Sequence, residues 1–156
     1  MQLTHILLLT ATLVIMEIAV TLFHRHVMHG IGWKWHASHH ERGAGRGWER
    51  NDWFAVVFAG ATILLFILGG SHAGVWWIAL GITLYGLLYG LLHDVLTHRR
   101  FGPNWQPRHA YLRRLVAAHR LHHAVRSREG GVSFGFLYAP PVETVRRQLR
   151  SRQVRQ

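Results

Sequence analysis

Three long stretches of the chain carry almost no charge, and the polar residues lie between and after them. The first runs from Leu3 to Phe23 and is apolar apart from His5, Glu17 and a few threonines. A helix of this length spans about 30 Å, the thickness of the hydrocarbon core of a bilayer. The pattern therefore predicts a transmembrane helix over residues 3–23.

The second and third stretches, residues 53–69 and 75–92, contain no Lys, Arg, Asp or Glu. Residues 69–74, Gly-Gly-Ser-His-Ala-Gly, have the composition of a turn between them. As helices they would be about 24–27 Å long, which suffices for a crossing with interfacial tryptophans. We predict a transmembrane hairpin, and thus an all-α integral membrane protein with about three transmembrane helices in a single domain, residues 1–156. A fourth crossing is the alternative, although no stretch after Arg99 is apolar for long enough.

All 18 Lys and Arg residues lie in two segments, residues 24–52 and 93–156. Three crossings place both segments on one side of the membrane, and the positive charge identifies that side as cytoplasmic. The two segments would then form a histidine-rich helical cap there. A soluble protein with three buried helices is the competing interpretation, but so small a chain cannot bury them all.

Histidine is the compositional anomaly, with 14 residues, whereas cysteine is absent. Without cysteine there are no disulfides, zinc ribbons or iron–sulfur clusters. Ten histidines form two copies of one pattern, H-x4-H followed by H-x2-H-H, and each copy follows an apolar stretch. The first copy is His24, His29, His36, His39 and His40, and the second is His93, His98, His119, His122 and His123.

This spacing indicates a metal site, because residues i, i+3 and i+4 share one face of a helix. His36 can bind the same ion as His39 or His40, and the other of these two can face a second ion. The H-x4-H spacing separates its rings by about 140° on an α-helix, which fits ligands for different ions or a helix that unwinds near the site. Ten imidazoles over two ions give at most five each, and an all-nitrogen site with open positions fits redox chemistry on O2 better than structural zinc.

Acidic residues are candidates to orient the ligating rings, because a ligating histidine usually donates its second N–H to a carboxylate or carbonyl. Asp94 lies four residues before His98, and Asp52 opens the second apolar stretch. Glu17 lies two helical turns from His24, with a hydrogen bond between helices as the alternative role.

The four remaining histidines fit a metal site less well. His26 forms H-x2-H with His29 and could replace His24 as a ligand, but His24 repeats the H-x4-H of the second copy and is favoured. We expect the others, His5, His72 and His109, to lie at the far membrane interface or in solvent.

Seven stretches between Met16 and Pro141 resemble one family. They are M-E-x6-H-R-H-V-M-H-G (16–30), W-H-A-S-H-H-E (35–41), N-D-W-F-A-V-V-F-A (51–59), Y-G-L-L-Y (85–89), H-D-V-L-T-H-R-R (93–100), A-H-R-L-H-H-A-V (118–125) and E-G-G-V-S-F-G-F-L-Y-A-P-P (129–141). In these stretches the chain resembles the bacterial β-carotene 3-hydroxylases, within the fatty acid hydroxylase superfamily of histidine-motif membrane oxygenases. The last stretch is specific to that family.

The resemblance implies a non-haem di-iron monooxygenase of the bacterial inner membrane, with the ten histidines as iron ligands. It implies O2-dependent hydroxylation of C3 of the β-ionone rings of β-carotene, giving zeaxanthin through β-cryptoxanthin, with reduced ferredoxin as the electron donor. Tyr85, Tyr89, Phe134 and Phe136 are candidates to line a path for the polyene, with helix packing as the alternative.

Other functions fit the sequence less well. A fatty acid or sterol hydroxylase or a carotenoid ketolase would share the histidine pattern, but the stretch 129–141 argues against them. A metal transporter should carry ionisable residues along its spans, where only Glu17 is central, and a haem-binding subunit needs paired histidines inside the bilayer.

The formal net charge of +11 has three interpretations. The favoured one is membrane orientation and attraction to anionic lipid headgroups, followed by docking of an acidic electron carrier such as ferredoxin. Nucleic-acid binding is disfavoured, since the chain has no recognisable binding module. The arginines concerned include Arg99, Arg100, Arg113, Arg114, Arg146, Arg147 and Arg150.

Overall fold

The computed structural model describes residues 2–41, 47–101 and 105–154, so parts of both predicted cytoplasmic segments lie outside the described residues. The described residues form six α-helices, two of which continue into π-helical segments, and they contain no β-strand. The all-α prediction is therefore confirmed for this part of the chain. The elements are α1 (Gln2–Phe23), π1 (His24–Ile31), α2 (Trp33–His40), α3 (Asp52–Leu68), α4 (Ala73–Tyr89), π2 (Gly90–Thr97), α5 (Ala110–His122) and α6 (Val142–Gln153).

Helices α1, α3 and α4 coincide within a few residues with the three predicted apolar stretches. Two continuous helices, Leu3–Ile31 and Ala73–Thr97, are long and apolar enough to cross a membrane, whereas α3 is apolar but has 17 residues. Only 11% and 17% of the residues in the most apolar windows of the two long helices are buried. Helices in the core of a soluble protein would be mostly buried, so this exposure favours contact with lipid.

Helix α4 packs against both α1 and α3. A Cβ atom at Gly81 of α4 would lie 2.7 Å from the Cβ of Thr12 in α1. The absence of a side chain at Gly81 therefore allows the two backbones to approach closely.

Helices α5 and α6 and the loop between them, residues 123–141, form a second packing unit beside the ends of α1 and α4. We call this connection the α5–α6 loop. Its apolar residues are buried with those of the two helices, which anchors the loop although it has no regular structure. The core residues are Leu115, Ala118, Val132, Ala139, Val145 and Leu149.

Candidate metal centre

The structure brings together all ten histidines of the two predicted motifs. They form two clusters of five, and within each cluster one ring nitrogen per histidine lies within 4.8 Å of the others. Eight of the ten side chains are buried, and His98 and His123 are half-buried. Cluster 1 is His24, His29, His36, His40 and His122, and cluster 2 is His39, His93, His98, His119 and His123.

A change of helical winding places both members of each H-x4-H pair in one cluster. In π2 the backbone N–H of His98 donates to the carbonyl of His93 at 2.9 Å, a step of five residues. Because this i to i+5 bonding widens the helical turn, residues five apart come closer to one face than on an α-helix. His24 and His29 meet in the same way in π1. The expectation that each pair serves different ions is therefore wrong, and the alternative of altered winding near the site is closer to the structure.

The H-x2-H-H motifs divide between the clusters in opposite ways. In α2, His36 and His40 enter cluster 1, with their Nε2 atoms 3.1 Å apart, and His39 enters cluster 2. At the end of α5 the i, i+4 pair enters cluster 2 and His122 enters cluster 1. Each cluster therefore takes four histidines from one copy of the sequence pattern and one from the other.

Every ring of cluster 1 is oriented by an oxygen atom that accepts a hydrogen bond from its Nδ1–H. The α5–α6 loop supplies four of these acceptors as backbone carbonyls, and the side chain of Asn51 supplies the fifth. The acceptor pairs are His24 with Phe134 at 2.9 Å, His29 with Arg128 at 3.0 Å, His36 with Asn51 Oδ1 at 2.7 Å, His40 with Val125 at 2.7 Å and His122 with Val132 at 2.8 Å.

Cluster 2 differs because two of its rings donate to carboxylates. His39 Nδ1 donates to Glu49 Oε2 at 2.9 Å, and His93 Nδ1 donates to Asp94 Oδ1 at 3.0 Å. Asp94 also accepts a hydrogen bond from Arg100 at 3.3 Å. These contacts hold the two imidazoles with Nδ1 protonated and Nε2 facing the cluster.

The Nε2 atoms that face each other fit a bound transition metal. A neutral ring with its proton on Nδ1 has only a bare lone pair on Nε2, so two such atoms cannot hydrogen-bond to each other. Their observed separations nevertheless run from 2.9 to 3.3 Å. Imidazole nitrogen binds such metals at about 2.0–2.1 Å, so two ligands at right angles lie about 3 Å apart. A cation between the rings removes the lone-pair repulsion, and an all-imidazole set suits iron, copper, zinc or nickel.

The α5–α6 loop that orients cluster 1 is itself held in place by three helices. The carboxylate of Glu17 in α1 accepts the backbone N–H groups of Phe136, Leu137 and Tyr138 at 3.0–3.1 Å. From α5, Tyr111 donates its hydroxyl to the carbonyl of Leu137. From α6, the guanidinium of Arg152 donates to the carbonyl of Gly131.

An apolar cavity of about 530 Å³ lies between α1, α3 and α4 and ends at cluster 2. Its polar end includes Asn51, Asp52, His93 and Asp94, and the rest is lined mainly by apolar side chains. Phe136 lines this end too, and its ring centre lies within 6 Å of the rings of His24, His93 and His119. The arrangement can place a hydrocarbon beside a metal ion held by the histidines of cluster 2.

Comparison with known proteins agrees with this geometry. Residues 9–140 match the family described as fatty acid hydroxylase. The chain belongs to that family. All ten clustered histidines lie within the matched range.

Several curated relatives of this chain are named beta-carotene hydroxylase. A protein named beta-carotene hydroxylase from Pantoea ananas is 51% identical over 149 residues, covering 94% of this chain and 83% of its own. One of the same name from Pseudescherichia vulneris is 51% identical, covering 99% and 88%. The chloroplastic beta-carotene 3-hydroxylase 1 of Arabidopsis thaliana is 37% identical over 80% of this chain and 41% of its own. No solved structure matches the chain.

The remaining histidines of this family member lie outside both clusters. His26 is exposed and belongs to neither cluster, whereas His24 is a member of cluster 1. Of the two candidates that the sequence offered, His24 is therefore the one that reaches the site. The imidazole of His5 stacks on Trp77 with ring centres 5.1 Å apart. His72 and His109 are exposed beside the N-termini of α4 and α5.

The three acidic residues predicted to orient rings have different partners from those expected. Asp94 accepts a hydrogen bond from the neighbouring His93 rather than from His98. Asp52 binds Arg100 through both carboxylate oxygens at 2.7 Å. Glu17 binds the α5–α6 loop and the hydroxyl of Tyr85 at 2.7 Å, so the alternative of a hydrogen bond between helices is correct for it.

Sequence reasoning missed the contacts made by Glu49, Asn51 and the carbonyls of the α5–α6 loop. Asn51 lies in a stretch that carries the family resemblance, and the four loop carbonyl acceptors lie in or beside two others, 118–125 and 129–141, which was the available signal. Of the four aromatic candidates, Tyr85, Tyr89 and Phe136 line the cavity. Phe134 instead packs against the rings of cluster 1.

Burial lowers the pKa of several clustered histidines and so favours their neutral form. Desolvation lowers the pKa of His40 to about 4 and that of His98 to about 3, from an ordinary value of 6.5. Burial also lowers the pKa of His36, His119 and His122, with repulsion from neighbouring imidazoles as a further cause. Neutral rings are the form that binds metal.

These lowered pKa values predict that the chelator-treated protein loses stability as the pH falls from about 6.5 to about 4. In this window the unfolded chain takes up protons on histidines that stay neutral in the folded chain, so acid favours unfolding. Each such histidine contributes about 1.4 kcal/mol per pH unit. Thermal unfolding in detergent at a series of pH values measures the effect, and a flat profile between pH 7 and pH 4 would contradict it.

Proposed function

We propose that this chain is a monooxygenase that uses O2 to hydroxylate C3 of both β-ionone rings of β-carotene, giving zeaxanthin through β-cryptoxanthin. The observation that carries the proposal is an apolar cavity that ends at one of two adjacent five-histidine clusters. The bacterial relatives named beta-carotene hydroxylase supply the identity of the substrate. β-Carotene is a hydrocarbon, which an apolar cavity between membrane helices can take directly from the bilayer.

The cofactor in this proposal is a pair of iron ions, one in each histidine cluster. Bound iron supplies the redox chemistry on O2 that hydroxylation of an unactivated ring carbon requires. The ten histidines hold the ions, and Glu49, Asn51, Asp94 and the loop carbonyls keep their rings oriented.

The chain's own contribution to the reaction is to position the ring and exclude water. The cavity wall includes the apolar side chains of Met16, Val20, Phe58 and Phe66, which make only apolar contacts with a hydrocarbon. Phe136 and Tyr89 are in contact, with ring centres 4.4 Å apart, and close the end of the cavity beside the histidines. A β-ionone ring that reaches this end lies next to His93, where the C3 position can meet the oxidant.

We propose that α1, α3 and α4 each cross the bacterial inner membrane and that both histidine segments face the cytoplasm. The distribution of Lys and Arg supports this topology, and lipid headgroups would contact the basic segments. Helix α3 would span about 26 Å, so it would need a locally thin bilayer or anchoring by Trp53 at its start. Reduced ferredoxin, an acidic protein, is the proposed electron donor to this basic side.

The test is expression of the chain in bacteria that accumulate β-carotene, followed by chromatography and mass spectrometry of the carotenoids. We expect zeaxanthin, with β-cryptoxanthin at early times. Ketolated carotenoids would instead identify a ketolase. Unchanged β-carotene with new hydroxylated fatty acids would identify a lipid hydroxylase.

Filling the cavity should block the substrate without removing the metal. Ala59 lines the cavity, so Ala59→Phe places a phenyl ring in the path of the polyene. We expect zeaxanthin formation to fall at least about tenfold while bound iron stays at the wild-type level. Ala61→Phe is the matched control, because Ala61 lies on the same helix, is exposed and does not line the cavity. Equal activity of the two variants would show that the substrate does not use this cavity.

A further inference from the structure

We propose that the two metal sites are unequal: cluster 2 holds its ion more tightly than cluster 1, and its ion faces the substrate. This inference rests on the proposed function. It derives from two independent features, the oxygen atoms that accept hydrogen bonds from the ligating rings and the direction in which the cavity opens.

The acceptors around cluster 1 are all electrically neutral. Four are backbone carbonyls of the α5–α6 loop, and the fifth is the amide oxygen of Asn51, 2.7 Å from His36 Nδ1. A neutral carbonyl fixes the orientation of an imidazole but transfers little negative charge to it.

The acceptors around cluster 2 include two carboxylates. The contact between His39 and Glu49 is deeply buried, with side-chain exposures of 1% and 7%. His93 donates to Asp94, which is 22% exposed. The contact between Glu49 and His39 is therefore less solvated than the contact between Asp94 and His93. We expect Glu49 to have the larger effect on how tightly cluster 2 binds its ion.

A carboxylate that accepts the Nδ1–H makes the imidazole a more basic ligand at Nε2. Hydrogen bonds to a charged acceptor are also stronger than those to a neutral one. His39 and His93 point their Nε2 atoms at each other across 2.9 Å, so both more basic nitrogens serve the same ion. Cluster 2 should consequently bind a cation more tightly and stabilise its oxidised state relative to cluster 1.

The cavity opens toward the same cluster. Among the described residues that line it, His93 is the one clustered histidine, and its partner Asp94 lies beside it, whereas cluster 1 reaches the lining through Asn51, the acceptor for His36, and not through a ring. The rings of cluster 1 are instead covered by the α5–α6 loop through Phe134 and four carbonyls. The substrate thus approaches the ion that has carboxylate support, and the cluster 1 ion lies behind it.

The experiment exploits a pair of isosteric substitutions in the iron-loaded protein. Glu49→Gln removes the carboxylate from cluster 2 but keeps an oxygen for His39, and Asn51→Asp adds a carboxylate to cluster 1 at His36. Iron release to a chromogenic chelator is followed in time, and ⁵⁷Fe Mössbauer spectra are recorded with and without β-carotene.

We expect the wild-type protein to release iron in two phases of equal size. Glu49→Gln should accelerate the slow phase by about 10–100-fold and leave the fast phase unchanged. Asn51→Asp should slow the fast phase. In the spectra, β-carotene should alter the same signal that Glu49→Gln alters.

The inference fails if the wild-type protein releases both ions in a single phase, or if Glu49→Gln accelerates the fast phase. It also fails if β-carotene alters only the signal that Asn51→Asp alters. If the protein still makes zeaxanthin under any of these outcomes, the proposed function stands and only the inequality of the two metal sites is refuted. If the protein makes no hydroxylated carotenoid, the proposed function itself is refuted. Should Glu49→Gln fail to fold, Asn51→Asp alone decides, because it removes no hydrogen-bond acceptor.

Discussion

Replacement of His122 by Ala will abolish zeaxanthin formation and remove about half of the bound iron. His122 is fully buried, its Nε2 lies 3.3 Å from Nε2 of His29, and its Nδ1 donates to the carbonyl of Val132. Loss of an oriented ligand should lower activity more than loss of its hydrogen-bond partner, which typically costs about 10–100-fold. Carotenoid chromatography and iron per chain by elemental analysis measure both effects.

His26→Ala is the control, because His26 is exposed and lies two residues from His24 without entering either cluster. We expect wild-type activity and iron content in this variant. Continued zeaxanthin formation by His122→Ala would refute its role as a ligand. Equal losses in both variants would point to a general sensitivity of the fold rather than to metal binding.

Glu17→Ala will destabilise the protein strongly, although Glu17 touches no metal-cluster histidine. Its carboxylate accepts hydrogen bonds from Phe136, Leu137 and Tyr138, and from the hydroxyl of Tyr85. A buried donor left without a partner costs about 1–3 kcal/mol, and four donors lose theirs here, of which the exposed N–H of Tyr138 can bind water instead. Allowing for relaxation of the loop, we expect a loss of about 3–5 kcal/mol.

The loop held by Glu17 also carries the carbonyls that orient cluster 1, so iron content and zeaxanthin formation should fall together with stability. Thermal unfolding in detergent and iron per chain are the measurements. Glu143→Ala is the matched control: it breaks the exposed ion pair with Arg146 in α6, which should contribute less than about 1 kcal/mol. Similar shifts in the two variants would show that the loop does not depend on Glu17.

Two of the arginines, Arg100 and Arg152, have structural partners within the chain and are not free to bind an electron donor or lipid headgroups. Arg100 binds Asp52 and Asp94 and thereby connects the start of α3 to cluster 2. Arg152 holds the carbonyl of Gly131. A study of donor binding should therefore begin with exposed arginines such as Arg113 and Arg120.

The sequence by itself determined the helical class, the approximate ends of α1, α3 and α4, and the membership of the ten-histidine set. These features are local or repeated in the sequence. Apolar runs of sufficient length predict helices, and the repetition of H-x4-H followed by H-x2-H-H identifies the ten histidines without knowledge of the fold. The tertiary structure decided which histidine joins which cluster, because that depends on the π-helical winding of π1 and π2 and on which histidines of α2 meet those at the end of α5.

The tertiary structure also decided the partners of the rings. Asp94 lies next to His93 in sequence and four residues from His98, and either contact was compatible with the chain; the backbone at π2 selects the first. The role of Glu17 could not be read locally, because the backbone groups that it binds are about 120 residues away. Hydrogen bonds from a side chain to a distant backbone depend on how the loop is packed, and the spacing of residues in the sequence does not predict that packing.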